Sequence, residues 1–132
     1  SSPGTAQQQE AQAKAQAEAK KQQEIQRKYQ AALNTYKTET LPQYQQKLSE
    51  LNSQYNQAQS TYNQADTAYQ MAFATWQADS SDENMQALNA AETSRTQAQI
   101  AMQQAKQAYE DINSRHLRCR TCLILLKIVP DL

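Results

Sequence analysis

The sequence has very few residues that interrupt helices. Among its 132 residues there are one glycine and three prolines, whereas glutamine occurs 24 times and alanine 21 times. Glutamine and alanine favour helices, and glycine and proline are the two residues that disfavour a helix most. The composition therefore predicts an all-α chain with long helices, and the length suits a single domain.

Long apolar runs and clustered charges of one sign are also missing. No signal peptide is visible, and no run approaches the roughly 18 apolar residues that a membrane-spanning helix needs. The net charge is zero: residues 1–114 carry −3 and residues 115–132 carry +3. Between Lys47 and Lys106 the only cation is Arg95. Because nucleic-acid binding needs clustered cations, a nucleic-acid partner is not expected.

Catalytic patterns are absent from the sequence as well. There is one histidine, and we find no glycine-rich phosphate loop, nucleophile elbow or His-Glu-x-x-His zinc motif. Carboxylate pairs occur at 82–83 and 110–111, where predicted helix ends account for them. We expect a non-enzymatic protein without cofactor, metal or small-molecule substrate.

What the sequence does contain is a regular heptad pattern. In the central stretch, large and small apolar residues alternate in steps of four and three: Leu51, Tyr55, Ala58, Tyr62, Ala65, Tyr69, Ala72 and Trp76. This spacing keeps one stripe facing a partner helix, and we call it, with its counterparts on the other helices, the seam. We expect the aromatic rings to pack in a core with the tyrosine hydroxyls at its wet edges. The alternative is an exposed ladder that stacks on sugars or docks a partner helix.

The helix boundaries predict an elongated antiparallel three-helix bundle, or coiled coil, with helices at about 6–38, 41–78 and 81–114. Residues 1–5 are interpreted as a disordered or tag-derived start. The seam takes a five-residue step from Tyr36 to Leu41, next to Pro42. We interpret this step as a tight turn; the alternative is one helix kinked at Pro42. Ser80 and Glu83 have capping-box spacing, which predicts the second connection at 79–83.

The third predicted helix carries a similar apolar side, with Leu88, Ala91, Ala98, Met102, Ala105, Tyr109 and Ile112. Arg95 interrupts it, and we expect its stem to lie on the seam with its head in water. Because alanine occupies every second seam position, each helix buries little apolar area. An isolated bundle should be marginally stable and should self-associate or bind a protein partner. The large seam residues are the predicted core or interaction surface: Leu51, Tyr55, Tyr62, Tyr69, Trp76, Leu88, Met102 and Tyr109.

The last residues, 115–132, differ sharply in composition. They lack glutamine and alanine, they hold both cysteines, and they include the apolar run 123–129. We interpret them as a non-helical or foreign tail, with a native tail as the equal alternative, and as the only part expected to contact a membrane. His116, Cys119 and Cys122 could supply three zinc ligands, but a structural site needs four. Free thiols, a local disulfide or intermolecular crosslinks are the simpler interpretations.

Two segments, Tyr-Asn-Gln-Ala-Gln-Ser-Thr-Tyr-Asn-Gln-Ala at 55–65 and Ala-Met-Gln-Gln-Ala-Lys-Gln-Ala-Tyr-Glu at 101–110, carry a resemblance. They are similar to the Ala/Gln-rich helical stalks of bacterial cell-surface or secreted proteins of the surface-exclusion or adhesin type. The resemblance is compositional and covers residues 6–114. It implies an extracellular or cell-surface helical spacer or interaction module. The alternative hypothesis is a helical segment of a toxin or translocator that acts at a membrane.

Overall fold

The computed structural model describes residues 3–128, and all of its secondary structure is helical. Helix α1 spans Pro3–Thr35, a π-helical turn spans Tyr36–Thr40, α2 spans Leu41–Ala78 and α3 spans Asp82–Ile128. The first three elements follow one another without interruption, so the fold is a helical hairpin of two long antiparallel helices. The all-α prediction is confirmed, and the prediction of a three-helix bundle is wrong, because the first two predicted helices form one continuous helix.

The π-helical turn replaces the tight turn predicted between Tyr36 and Pro42. The backbone N–H of Leu41 donates to the carbonyl of Tyr36, which is the i to i+5 hydrogen bond of a π-helix. One π turn accommodates five residues, so it absorbs the five-residue step of the seam without reversing the chain. Proline at position 42 has no N–H to give to the preceding turn, which makes this a favourable place for an irregular turn. The continuous helix, our alternative, is the observed structure.

The connection between α2 and α3 falls where it was predicted, at residues 79–81, but its cap lies one residue later than expected. The hydroxyl oxygen of Ser81 accepts the backbone N–H of Asn84 at 3.2 Å, so Ser81 is the N-cap of α3. Ser80 instead donates its hydroxyl to the Trp76 carbonyl at 3.0 Å. Two acids in the first turn of α3 suit the positive end of the helix dipole.

The prediction of a non-helical or foreign tail is wrong, because α3 continues to Ile128. Residues 129–132, and with them Val129 of the predicted apolar run, lie outside the described residues. The seam spacing continues through the change in composition, with half-buried residues in steps of three and four: Tyr109, Ile112, His116, Cys119, Leu123 and Leu126. Heptad spacing therefore determines how this segment packs, whatever its composition.

The chain divides into two compact units. Unit 1 comprises residues 1–43 and 116–132, and unit 2 comprises 44–115. In unit 1, each residue from 4 to 24 is exposed, and partial burial of α1 begins at Ile25. Residues 1–5 were predicted to be a disordered or tag-derived start. In the structure, α1 already begins at Pro3, and Ser1 and Ser2 lie outside the described residues.

The hydrophobic core is small and lies in unit 2. Among the residues that the structure describes, only Leu51, Leu88 and Ala98 are buried, with 6%, 8% and 8% of their surface exposed. The alanine-rich seam explains this small core, since an alanine side chain buries little area. No helix within residues 3–128 combines the length and the apolar character needed to cross a membrane.

Candidate functional site

The seam residues predicted as an interaction surface all belong to unit 2. Leu51 and Leu88 are buried, and the other six are half-buried: Tyr55, Tyr62, Tyr69, Trp76, Met102 and Tyr109. Tyr55 and Tyr109, from α2 and α3, line a shallow pocket of about 300 Å³ with Asn52, Lys106 and Glu110. The structure thus places the aromatic residues on the inner side of the two helices but leaves part of each ring accessible.

The guanidinium of Arg95 contacts side chains of α2, whereas the prediction placed it in water. Its guanidinium Nη1 lies 3.3 Å from Oδ1 of Asp66, and its central carbon lies 3.7 Å from the centre of the Tyr69 ring. The two charged side chains are each about one third exposed. The head of Arg95 therefore binds α2 instead of remaining in water. A clue was present in the sequence, since Asp66 is the only charged residue in 51–76 and lies one turn before Tyr69.

An aromatic cluster near the connection was missed by the heptad analysis. The ring of Phe73 lies 6.3 Å from that of Tyr69 and 6.1 Å from that of Trp76, between ring centres. Phe73 stands beside the seam and remains 37% exposed. Two further side chains near the connection are exposed, Met71 at 67% and Met85 at 39%. This end of unit 2 consequently presents apolar and aromatic surface to solvent.

The π-helical turn in unit 1 places Tyr36 against α3. The hydroxyl of Tyr36 lies 2.8 Å from Nε2 of His116, a hydrogen bond whose direction depends on the histidine tautomer, and the rings stack 6.0 Å apart. The sequence offers His116 as a metal ligand, whereas in the structure its Nε2 is hydrogen-bonded to the hydroxyl of Tyr36. π turns recur at functional sites, so the surface beside this contact is a candidate site.

An apolar groove of about 660 Å³ lies beside the π-helical turn. It is lined by Ala31, Ala32 and Thr35 of α1, by Tyr36 and Thr40 of the π-helical turn, and by Cys119, Cys122, Leu123, Leu125 and Leu126 of α3. Both cysteines are free thiols, Cys119 half-buried and Cys122 exposed. No three His, Cys, Asp or Glu side chains within residues 3–128 are placed to hold a metal ion. The groove can accept apolar groups.

The two units carry opposite formal charges. Unit 1 contains nine Lys/Arg and five Asp/Glu, which gives +4, and unit 2 contains four Lys/Arg and eight Asp/Glu, which gives −4. The basic residues of unit 1 include Lys127, whose ammonium lies 5.5 Å from the centre of the Tyr29 ring. The apolar groove thus belongs to a basic unit, and the exposed aromatic cluster belongs to an acidic one.

A comparison of the chain with protein-family models, curated proteins and solved structures finds no match. The functional interpretation is therefore built on the seam, the aromatic cluster and the groove.

Proposed function

We propose that this chain is a non-enzymatic protein-interaction module, a helical stalk or docking surface of a bacterial cell-surface or secreted protein. One observation supports it above the others: of the eight large seam residues predicted as an interaction surface, six are only half-buried. Burial of this exposed apolar area against another protein would contribute about 25 cal/mol of binding free energy per Å². A helical partner with matching spacing would bury these rings along the whole of unit 2.

The character of the accessible side chains also fits protein recognition. Tyrosine and tryptophan are enriched at the centres of protein interfaces, since they combine large apolar area with a polar group. Phe73 extends this surface beyond the seam and is exposed at 37%. The surrounding glutamines and asparagines can form the polar rim that such interfaces have.

The location at a bacterial surface rests on the resemblance of segments 55–65 and 101–110 to Ala/Gln-rich stalks. A stalk needs long helices with few breaks, and α3 alone contains 47 residues. At 1.5 Å per residue such a helix is about 70 Å long. This length suits a spacer that carries an interaction surface.

The test is partner capture with matched variants. The full chain, Phe73→Lys and Ile100→Lys are immobilised and exposed to surface and secreted proteins of a Gram-positive culture. Ile100 is 49% exposed in the same unit, so the control adds the same charge at a comparable site. We expect a protein that the full chain and the Ile100 variant retain and the Phe73 variant loses. Equal retention by all three chains, or retention of nothing by a chain that also does not associate with itself, would contradict the proposal.

A second candidate function, action at a membrane, is favoured by one observation. Leu117 and Ile124 lie one heptad apart on α3 and are 51% and 57% exposed, with the exposed Arg120 between them. An apolar stripe with basic neighbours is typical of interfacial helices. We would measure binding to anionic phosphatidylglycerol vesicles, using Leu117→Lys/Ile124→Lys as the variant and Ile100→Lys as the control. Binding that only the double variant loses would favour this function, and no binding by the full chain would exclude it.

A further inference from the structure

The groove of unit 1 is an apolar site on a basic surface. Its walls include Ala32 of α1, Tyr36 of the π-helical turn, and Leu123 and Leu126 of α3. Its volume of about 660 Å³ can hold several apolar side chains. Exposed cations stand on the same unit, among them Arg118 and Arg120. The occupant that this chemistry favours is an apolar or aromatic surface with acidic surroundings.

A surface of that description is present on unit 2 of the same chain. Phe73 is 37% exposed between Tyr69 and Trp76, and Met71 is 67% exposed on the same helix. The unit that carries them has a net charge of −4, against +4 for the unit with the groove. Electrostatic complementarity of this kind steers association and selects the partner.

We propose that the groove of unit 1 binds the Phe73 surface of unit 2 from a second copy of the chain. The inference rests on the proposed function and names the partner of the interaction module. We infer a reciprocal arrangement, in which each copy's groove receives the Phe73 surface of the other about a two-fold axis and the assembly closes as a dimer. A stable interface needs about 800 Å² from each partner. The accessible surface of one copy is 9900 Å², so less than a tenth of it is required.

The first experiment is sedimentation equilibrium of the full chain at about 1 to 200 µM, a range that resolves micromolar affinities. We expect the mass to rise from monomer to dimer and to stop there. Because opposite charges contribute to the contact, we expect the dissociation constant to increase about tenfold when salt is raised from about 50 to about 500 mM. A monomer at every concentration, or assemblies that grow beyond the dimer, would overturn the proposal.

The chain contains its own probe of the groove. Its two cysteines, Cys119 and Cys122, both line the groove and are free thiols. We expect their reaction with Ellman's reagent to slow at least about tenfold over the concentration range in which the mass doubles, since buried thiols are inaccessible. A dimer whose thiols react as fast as those of the monomer would show that another surface mediates association.

Variants identify the other side of the contact. Phe73→Lys should leave the chain monomeric with unprotected thiols, while Ile100→Lys should dimerise like the unchanged chain. Circular dichroism of both variants checks that helicity is retained. Equal dimerisation by both variants would overturn the assignment of Phe73. A monomeric full chain that still captures a bacterial surface protein through Phe73 overturns only the dimer, whereas a monomer that captures nothing overturns the proposed function as well.

Discussion

Units 1 and 2 both carry the seam spacing, but they differ in its continuity and in how deeply its residues are buried. In unit 2, steps of four and three run unbroken from Tyr44 to Trp76, and this unit contains Leu51, Leu88 and Ala98, the buried residues of the described chain. In unit 1 the π-helical turn interrupts the spacing, and no residue that the structure describes there is buried. The comparison shows that heptad spacing orients side chains, whereas unbroken register and side-chain size decide how much area they bury.

The same contrast separates stability from recognition. Unit 2 holds the small core and the Arg95–Asp66 ion pair, while unit 1 holds an open groove and an exposed helix at 4–24. Segments with few buried apolar contacts open locally at the lowest free-energy cost, so we expect unit 1 to be the less stable unit. We therefore expect substitutions of the buried residues of unit 2 to change stability most, and substitutions in the groove or at the exposed Phe73 to change association most.

The largest expected effect is that of truncating the core of unit 2. Leu51→Ala should lower the free energy of unfolding by about 2–3 kcal/mol, because it removes buried methyl groups and leaves a cavity. Leu123→Ala, at a half-buried position in unit 1, should lower it by about 1 kcal/mol, since less area leaves the interior. Urea unfolding followed by circular dichroism measures both at a concentration where the chain is monomeric.

The exposed Ile100→Ala serves as the control for these truncations, with an expected change within about 0.5 kcal/mol. Equal losses for Leu51→Ala and Leu123→Ala would remove the distinction between the units. The result would then show that Leu123 is packed as closely as Leu51.

The next effect tests the π-helical turn of unit 1. Pro42→Ala should raise the free energy of unfolding by about 1–2 kcal/mol, because alanine supplies the missing N–H and removes the ring from the preceding turn. The gain is below the full proline penalty, since alanine also gives the unfolded chain more freedom. Thermal unfolding measures it, and Gln43→Ala at the neighbouring exposed position is the control. An unchanged or lowered stability would mean that the π-helical turn already accommodates Pro42 without cost.

The third effect concerns the contact of Arg95 with Asp66 in unit 2. A double-mutant cycle of Arg95→Met and Asp66→Asn should give a coupling energy of about 0.5–1 kcal/mol, because the pair is partly shielded from water. Arg95→Lys should lose part of it, since an ammonium cannot stack on Tyr69 as a planar guanidinium does. The same cycle on the exposed Glu10–Lys14 pair of unit 1 should give a smaller value. A larger coupling in unit 1 would reverse the comparison.

Much of the fold could be predicted from the sequence, because helix-forming composition and heptad spacing are local and repeated. The helical class, the connection at 79–81 and the inward side of α2 follow from them. The turn expected at Pro42 was wrong because the cost of a mid-helix proline, about 3 kcal/mol, was given more weight than the alternative of one helix kinked at Pro42. A π turn two residues before the proline absorbs the five-residue step without reversing the chain. The tail was misread because composition was given more weight than the spacing from Tyr109 to Leu126.

The candidate site was harder to predict. The seam residues could be identified from spacing, but Phe73 lies beside the seam and only its distances to Tyr69 and Trp76 reveal the cluster. The groove depends on pairing 31–40 with 119–126, residues that are far apart in the chain. Sequence spacing alone does not give that register, because a heptad pattern is compatible with several offsets between two helices.

The smallest expected effect concerns the exposed part of α1 in unit 1. Side-chain pairs within the helix stabilise it there, since its residues bury little area. Arg27 donates hydrogen bonds to both carboxylate oxygens of Glu24, one of them at 3.1 Å, and these bonds lower the pKa of Glu24. Because the pKa is lower in the helix than in the unfolded chain, this pair stabilises the helix above the ordinary glutamate pKa, and its contribution is lost as the pH falls through the lowered value. Solvent screening keeps the effect small. Carboxyl carbon NMR should show the pKa of Glu24 returning to its ordinary value in Arg27→Gln and unchanged in Lys14→Gln. A pKa of Glu24 unaffected by Arg27→Gln would mean that this part of α1 is held by helix propensity alone.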